Sequence, residues 1–318
     1  MKRILKGWVL MALSVYVISC SPDNNNGEAP PRDYAVQYAS EKADIENFLK
    51  KTYMVVDETT WDVVIDSIGP DTPQVSIWDQ TEYPLQQKIV RSNNVDYTVY
   101  YITFNEGVGS APIKADNVFI SYRGIRLDTE QFTYVPFPAN YSSLLSTIEG
   151  WQEIIPLFKA GIETNTNPQD PASFSDYGAG VMFLPSGLGY YNISRVGIPS
   201  YSSLIFSFKL FAIQRADNDR DGVLSVNETG GFADIDDYDS DDDDIANYRD
   251  VDDDNDGILT KNEKQGTGSP EDLDTDNDGI KNYLDTDDDG DGIPTKDELN
   301  LPPCHNNPAV PRYLNSSC

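Results

Sequence analysis

Between residues 95 and 214 the apolar positions recur in the manner of strands. Tyr97 to Phe104 and Val118 to Tyr122 alternate or run apolar and β-branched, Val181 to Leu184 is a short apolar run, and Leu204, Phe206, Phe208 and Leu210 occupy every second position. Trp151, Ile154, Ile155 and Phe158 instead share one face at helical spacing, and Pro156 keeps that helix short because its ring removes a helical N–H. The pattern predicts an α+β domain, a mostly antiparallel β-sheet wrapped on one short helix. Upstream the signal is weaker. Ser40 is placed to cap a short helix carrying Ile45, Phe48 and Leu49 on one face, and Trp61 and Trp78 read as packing residues among strand-like and turn-like pieces. Residues 37–94 are therefore expected to be an N-terminal extension laid against the domain at 95–214.

The ends of the chain follow different rules. Lys2, Arg3 and Lys6 precede an apolar run from Trp8 to Ile18, too short to span a bilayer as a stable helix, which predicts an export signal over 1–19. Cys20 follows, then the polar Ser21-Pro22-Asp23-Asn24-Asn25-Asn26. This arrangement resembles a bacterial lipoprotein signal, in which the Cys is lipidated and becomes the mature N-terminus; ordinary signal cleavage beside an incidental Cys is the alternative. The resemblance implies a lipid-bilayer anchor in the cell envelope, at the outer membrane and facing the periplasm or the surface, with 20–36 as a tether. Cys304 and Cys318 lie in a proline-rich tail, 302–318, and outside the cytoplasm such a pair is expected to close a disulfide. His305 reads as a solvated residue.

Charge changes the picture in one region. The 318 residues hold 53 Asp and Glu against 23 Lys and Arg, a net charge of −30. Residues 216–300 alone hold 30 acidic and 6 basic side chains. Such an excess repels phosphate, which excludes nucleic acid as the natural partner and points to cations. Within it a twelve-residue calcium-loop pattern, D-x-[DN]-x-[DN]-G-x5-E, recurs. Asp217, Asp219, Asp221, Gly222 and Glu228 fit it, as do Asp252, Asp254, Asp256, Gly257 and Glu263, and Asp287, Asp289, Asp291, Gly292 and Glu298. Asp274, Asp276, Asp278, Gly279 and Asp285 end on Asp, and Asp239, Asp241, Asp243 and Asp250 carry Asp244 where the turn-making Gly belongs. Shifting the chain by 35 residues lays 239–263 on 274–298 with 16 of 25 positions identical, which is a duplication. Alternate oxygen ligands, a sharp turn and a distal carboxylate are what a hard cation taking six to eight oxygens needs. A disordered acidic spacer would require neither the Gly nor the Ile258, Ile280 and Ile293 that follow it. Loop 239–250 is followed after one residue by 252–263, and 274–285 likewise by 287–298, which leaves no room for EF-hand helices between them. The module, 215–301, resembles thrombospondin type-3 calcium repeats, which implies an irregular, calcium-ordered chain with little apolar core.

Several blocks of the middle region resemble the FKBP-type peptidyl-prolyl cis-trans isomerases, in family order. They are Val118-Phe119-Ile120-Ser121-Tyr122-Arg123-Gly124 with the later Phe132, Ile148-Glu149-Gly150-Trp151-Gln152-Glu153, Leu184-Pro185 through Tyr190, and Gly197-Ile198-Pro199 with Leu204-Ile205-Phe206. Taken singly these aromatics would be core; their ordered spacing carries the resemblance. It implies a pocket floored by Trp151 and walled by Tyr122, Phe132, Ile148, Ile198 and Phe206, with the Ile148 N–H and the Tyr190 hydroxyl as donors to substrate. Thr133 stands where the family has Asp, Tyr191 where it has Gly, and Ile162 to Gly180 reads as a loop inserted within the family's pattern, which implies a different access to the pocket. The implied activity is peptidyl-prolyl isomerisation of exported proteins, with no cofactor for the chemistry and calcium ions in the C-terminal module. The alternative is a non-catalytic binding or adhesion lipoprotein whose calcium module is a stalk.

Overall fold

The computed structural model describes residues 30–70, 73–165, 167, 169–302, 304, 305 and 307–317. The expected export signal, Cys20 and Cys318 lie outside the described residues. The first element is helix α1, Tyr34–Lys51, whose N-cap is Asp33, accepting from the Val36 N–H at 3.0 Å. Ser40, expected to cap this helix, sits exposed in its middle: a carboxylate seven residues earlier already meets the free N–H groups of the first turn. The helix thus begins inside the segment read as tether. Ile45, Phe48 and Leu49 form its buried face, and Thr52 ends it, its hydroxyl donating to the Phe48 carbonyl at 2.7 Å.

Strands β1 (Thr52–Asp57) and β2 (Asp62–Ser67) form a hairpin. The main sheet is built from β3 (Gln86–Ser92), β4 (Val95–Asn105), β5 (Asn117–Arg126), β6 (Gln131–Val135), the two-residue β7 (Ser142–Ser143), β10 (Gly178–Leu184) and β11 (Leu204–Gln214). Its order is β3-β4-β10-β11-β5-β6, with β7 beside β5, and every pairing is antiparallel. Asn93 and Asn94, both with positive φ, make the tight β3–β4 turn. Helix α2 (Glu149–Ile154) passes into a 3₁₀ turn, Ile155–Leu157, at Pro156, as the ring requires. The insertion holds a small ladder, β8 (Ile162–Glu163) with β9 (Phe174–Ser175).

Alternation along the strands sorts side chains onto two faces, and both faces are covered. On one, Tyr97, Val99, Ile120, Met182, Phe206 and Phe208 meet Trp151, Ile154, Ile155 and Phe158 of the α2 region. On the other, Tyr100, Ile102, Val181, Phe183 and Ile205 meet Ile45, Phe48 and Leu49 of α1, with Val63 of β2. All seven residues of the central strand β10 are buried, as expected of a strand packed on both sides. Helix α2 supplies one layer, and α1, from the segment expected to lie against this domain, supplies the other.

Beyond Gln214 the chain is irregular, with 3₁₀ turns and one short helix, α3 (Thr295–Glu298). Residues 33–318 form one unit. Arg215 pairs with the buried Asp116 at 2.5 Å, the Asn218 amide donates to the Ala115 carbonyl at 3.1 Å, and Lys114 bridges Asp234 and Asp236. Ile235, Ala246 and Tyr248 pack with Ala115 and against Ile113 and Leu145.

Candidate functional site

A cavity of about 760 Å³ opens between β5, β6, β11, α2 and the segment after β10. Tyr122, Phe132, Ile148, Trp151, Tyr190, Ile198 and Phe206 all line it. Trp151 projects from the first turn of α2 and is 5% exposed; its ring meets Tyr122 edge-on at 4.9 Å and Phe206 at 5.2 Å. Phe132 packs edge-on against Phe206 at 5.6 Å. Such edge-to-face contacts set each ring by its neighbours, so the hollow has stiff apolar walls. Gly124 makes room for one of them: a Cβ there would lie 2.5 Å from the Phe132 ring.

Two donors belong to lining residues and meet no acceptor among the described residues. Ile148 is the N-cap of α2; its carbonyl accepts from Trp151 N at 2.9 Å, while its own N–H meets no acceptor among the described residues. The Tyr190 hydroxyl likewise has no hydrogen-bond partner among them, and its ring lies 5.5 Å from the Arg195 guanidinium. Glu149 is the one carboxylate in the lining; burial raises its pKa, opposed by a bond from the Ser92 hydroxyl at 2.9 Å. Thr133 also lines the wall, so no second carboxylate enters there. The inserted segment, expected to alter access to the pocket, contributes no lining residue among those described. Phe174 stacks on Phe211 at 5.5 Å instead, which fixes the insertion elsewhere on the sheet.

The five acidic loops share one backbone design. In each, the N–H at position 9 (Ser225, Asn247, Thr260, Asn282, Thr295) donates to the carbonyl just before the loop. The side-chain oxygen at position 9 accepts from the N–H at position 2 (Asn218, Ser240, Asp253, Thr275, Asp288). The Asp at position 5 accepts from the N–H at position 7, at 2.6 to 2.8 Å throughout. The turn residue between has positive φ in every loop, as Gly222, Gly257, Gly279 and Gly292 readily do; Asp244 takes the same conformation at φ 73°. The loop without the glycine therefore closes like the others.

These bonds leave the remaining carboxylate oxygens converging. Asp217, Asp219 and Asp221 bring oxygens within 4.8 Å of one another, as do Asp239, Asp241 and Asp243, and Asp252, Asp254 and Asp256. Two further groups cross between loops: Asp221 and Glu228 gather with Asp253, and Asp256 and Glu263 with Asp288. Asp253 and Asp288 escape the twelve-residue pattern, because they stand second in the following loop; the signal was available in the 35-residue period, which lays one on the other. Asp250 is buried, whereas Asp276 and Asp278 are exposed, with Asp274 and Asp285 half-buried. In the last loop Asp287 and Asp291 are half-buried and Asp289 buried, but Glu298 is paired with Arg312 of the tail at 2.7 Å. Cys304 is buried and disulfide-bonded.

The donor set suits a hard divalent cation. Both carboxylate oxygens of Glu228, Asp253, Glu263 and Asp288 are buried and meet no hydrogen-bond donor among the described residues. Burial first, then neighbouring carboxylates, pushes Glu228 and Glu263 up to about 10 and Asp253 up to about 9. Buried anions without counter-charge are costly, and an oxygen-seeking cation is what reverses that cost.

No protein-family model and no curated protein matches this chain. Solved structures do match, the following two among them. FkpA from Escherichia coli is 20% identical with a TM-score of 0.34, over 57% of this chain and 61% of that one. A peptidyl-prolyl cis-trans isomerase from Pseudomonas syringae pv. tomato is 15% identical with a TM-score of 0.35, over 59% of this chain and 98% of that one. This chain thus spans less than two thirds of FkpA. At these values neither match says what the chain does, and the cavity itself must carry that.

Proposed function

We propose that the chain is a peptidyl-prolyl cis-trans isomerase that turns X-Pro bonds in exported proteins. The observation that carries this reading is the single ring-walled hollow holding all seven side chains above, with the Ile148 N–H and the Tyr190 hydroxyl uncommitted. An X-Pro bond rotates slowly because its planar amide loses conjugation when twisted. No acid, base or nucleophile is needed. A dry apolar hollow that accepts the prolyl ring, with a donor for the carbonyl oxygen of the twisted form, lowers the barrier by favouring that form over the planar one.

Calcium ions belong to the same proposal, held by the five loops and by Asp253 and Asp288. They neutralise carboxylates that otherwise repel, and so stiffen the module where it packs on 113–116. The reading extends to an envelope lipoprotein anchored through Cys20, with proline-containing exported chains as partners.

The test is isomerisation of a short X-Pro peptide by the wild type, Trp151→Ala and Tyr190→Phe. Wild-type activity well above both variants supports catalysis. Activity no higher than theirs leaves a pocket that only binds proline-containing segments, a reading favoured by Thr133 where the family has Asp.

A further inference from the structure

Helix α1 lies outside the isomerase-like segment, yet it grips both ends of the loop that carries Tyr190. Glu41, in the middle of α1, is 3% exposed. Its Oε2 accepts from the Ser186 N–H at 2.8 Å and its Oε1 from the Ser186 hydroxyl at 2.5 Å; Oε1 also accepts from the Gln37 side chain at 2.7 Å. Ser186 is fully buried and opens the 3₁₀ turn Ser186–Leu188. Its carbonyl in turn accepts from the N–H groups of Gly189 and Tyr191, both at 2.9 Å, the two residues that bracket Tyr190. A continuous run of hydrogen bonds therefore leads from Glu41 to the backbone on either side of Tyr190.

The second grip is at Tyr191, which has φ 46° although it is not glycine. A side chain there is strained, so the conformation must be held by its surroundings. Its ring stacks on Tyr34 of α1 at 3.9 Å with an interplanar angle of 13°, and Tyr201 packs edge-on at 5.1 Å. The ring that glycine would lack is thus the handle by which α1 takes hold.

We propose that α1 is a positioning element of the pocket: Glu41 fixes Ser186 and Tyr34 fixes Tyr191, so that Tyr190 is held with its ring in the cavity wall. Its effect on turnover rests on the isomerase reading; the clamp does not. Glu41 serves two donors of one residue with two oxygens. A glutamine offers Ser186 one acceptor oxygen in place of two and carries no charge, so Glu41→Gln weakens both bonds while keeping size and shape.

The experiment uses the full chain. Hydrogen exchange of amides 186–193 is measured in wild type, Glu41→Gln and Tyr34→Ala, the latter at a half-buried position near the helix start where folding is less at stake. The loop amides should exchange at least about tenfold faster in both variants, with β4 and β11 unchanged. In peptide isomerisation Glu41→Gln should lower kcat/KM by about tenfold to a hundredfold. It should add little in a Tyr190→Phe background, because the two changes remove one contribution. Unchanged loop exchange in both variants overturns the clamp, and effects of Glu41→Gln and Tyr190→Phe that multiply overturn its action through Tyr190. A wild type with no isomerisation above buffer would defeat the isomerase reading while the exchange measurement still decides the clamp.

Discussion

Replacing Trp151 by Phe separates the role of the pocket floor from its role in stability. The indole is 5% exposed and packs edge-on against Tyr122 and Phe206, contacts that a phenyl ring at the same place largely keeps. The variant loses about 40 Å² of buried apolar surface, about 1 kcal/mol at 25 cal/mol per Å². Against this, Trp151 Nε1 is buried with no hydrogen-bond partner among the described residues. Removing that stranded donor returns about 1–3 kcal/mol. The gain equals or exceeds the loss, so urea unfolding of Trp151→Phe should give a stability between that of wild type and about 2 kcal/mol above it. The floor, however, recedes by one fused ring from any proline seated on it. Losing about 1 kcal/mol of contact with the twisted substrate lowers kcat/KM about fivefold. The assay is exchange between cis and trans X-Pro peptide followed by NMR, beside the urea curve. A stability loss above about 3 kcal/mol would show that the indole N–H has a partner after all. An unchanged rate with intact stability would show that substrate does not rest on Trp151.

Other consequences can be measured separately. Tyr190→Phe should lower kcat/KM by at least about tenfold with no loss of fold, short of the ~10²-fold seen for a full oxyanion donor, because an amide oxygen carries less charge. Asp253→Asn should weaken calcium binding at the loop 217–228, although Asp253 belongs to the next loop; titration calorimetry that shows only the loop 252–263 affected would contradict the crossed group. Chelation should lower the melting temperature, since a loop at twenty times its Kd in free ion contributes about 1.8 kcal/mol. In the ion-free protein, Glu228, Glu263 and Asp253 titrate near 10, 10 and 9, against about 4 in the unfolded chain. The folded state then binds more protons at neutral pH, so stability in chelator should rise as the pH falls from about 10 toward 5 and be lowest at alkaline pH. With calcium, which favours the ionised form, the trend should reverse.

Local and contiguous signals were legible. Ligands at positions 1, 3 and 5 of each loop are set by neighbours within six residues, and strands such as Leu204 to Leu210 announce themselves by alternation because one face of a sheet is buried. Strand β3 did not, since Gln86, Gln87 and Arg91 of this edge strand are exposed, Ile89 is exposed with them, and Lys88 pairs with Glu153 of α2 where an apolar residue would carry the pattern. Ser40 was a plausible cap on composition alone; Asp33 won because it sits where the first free N–H groups are.

By itself the sequence determined the short proline-limited helix beneath an antiparallel sheet, the order of the aromatic blocks, and the repeated acidic loops, all of them consequences of residue type and spacing over short stretches of chain. Only the tertiary structure decided that seven separated side chains surround one hollow, that the insertion packs away from it, and that Asp253 and Asp288 complete the group of the preceding loop. It alone brought Glu41 to Ser186, 145 residues later. These depend on how two covered sheet faces and a folded acidic chain bring distant residues together, and no local propensity encodes such an approach.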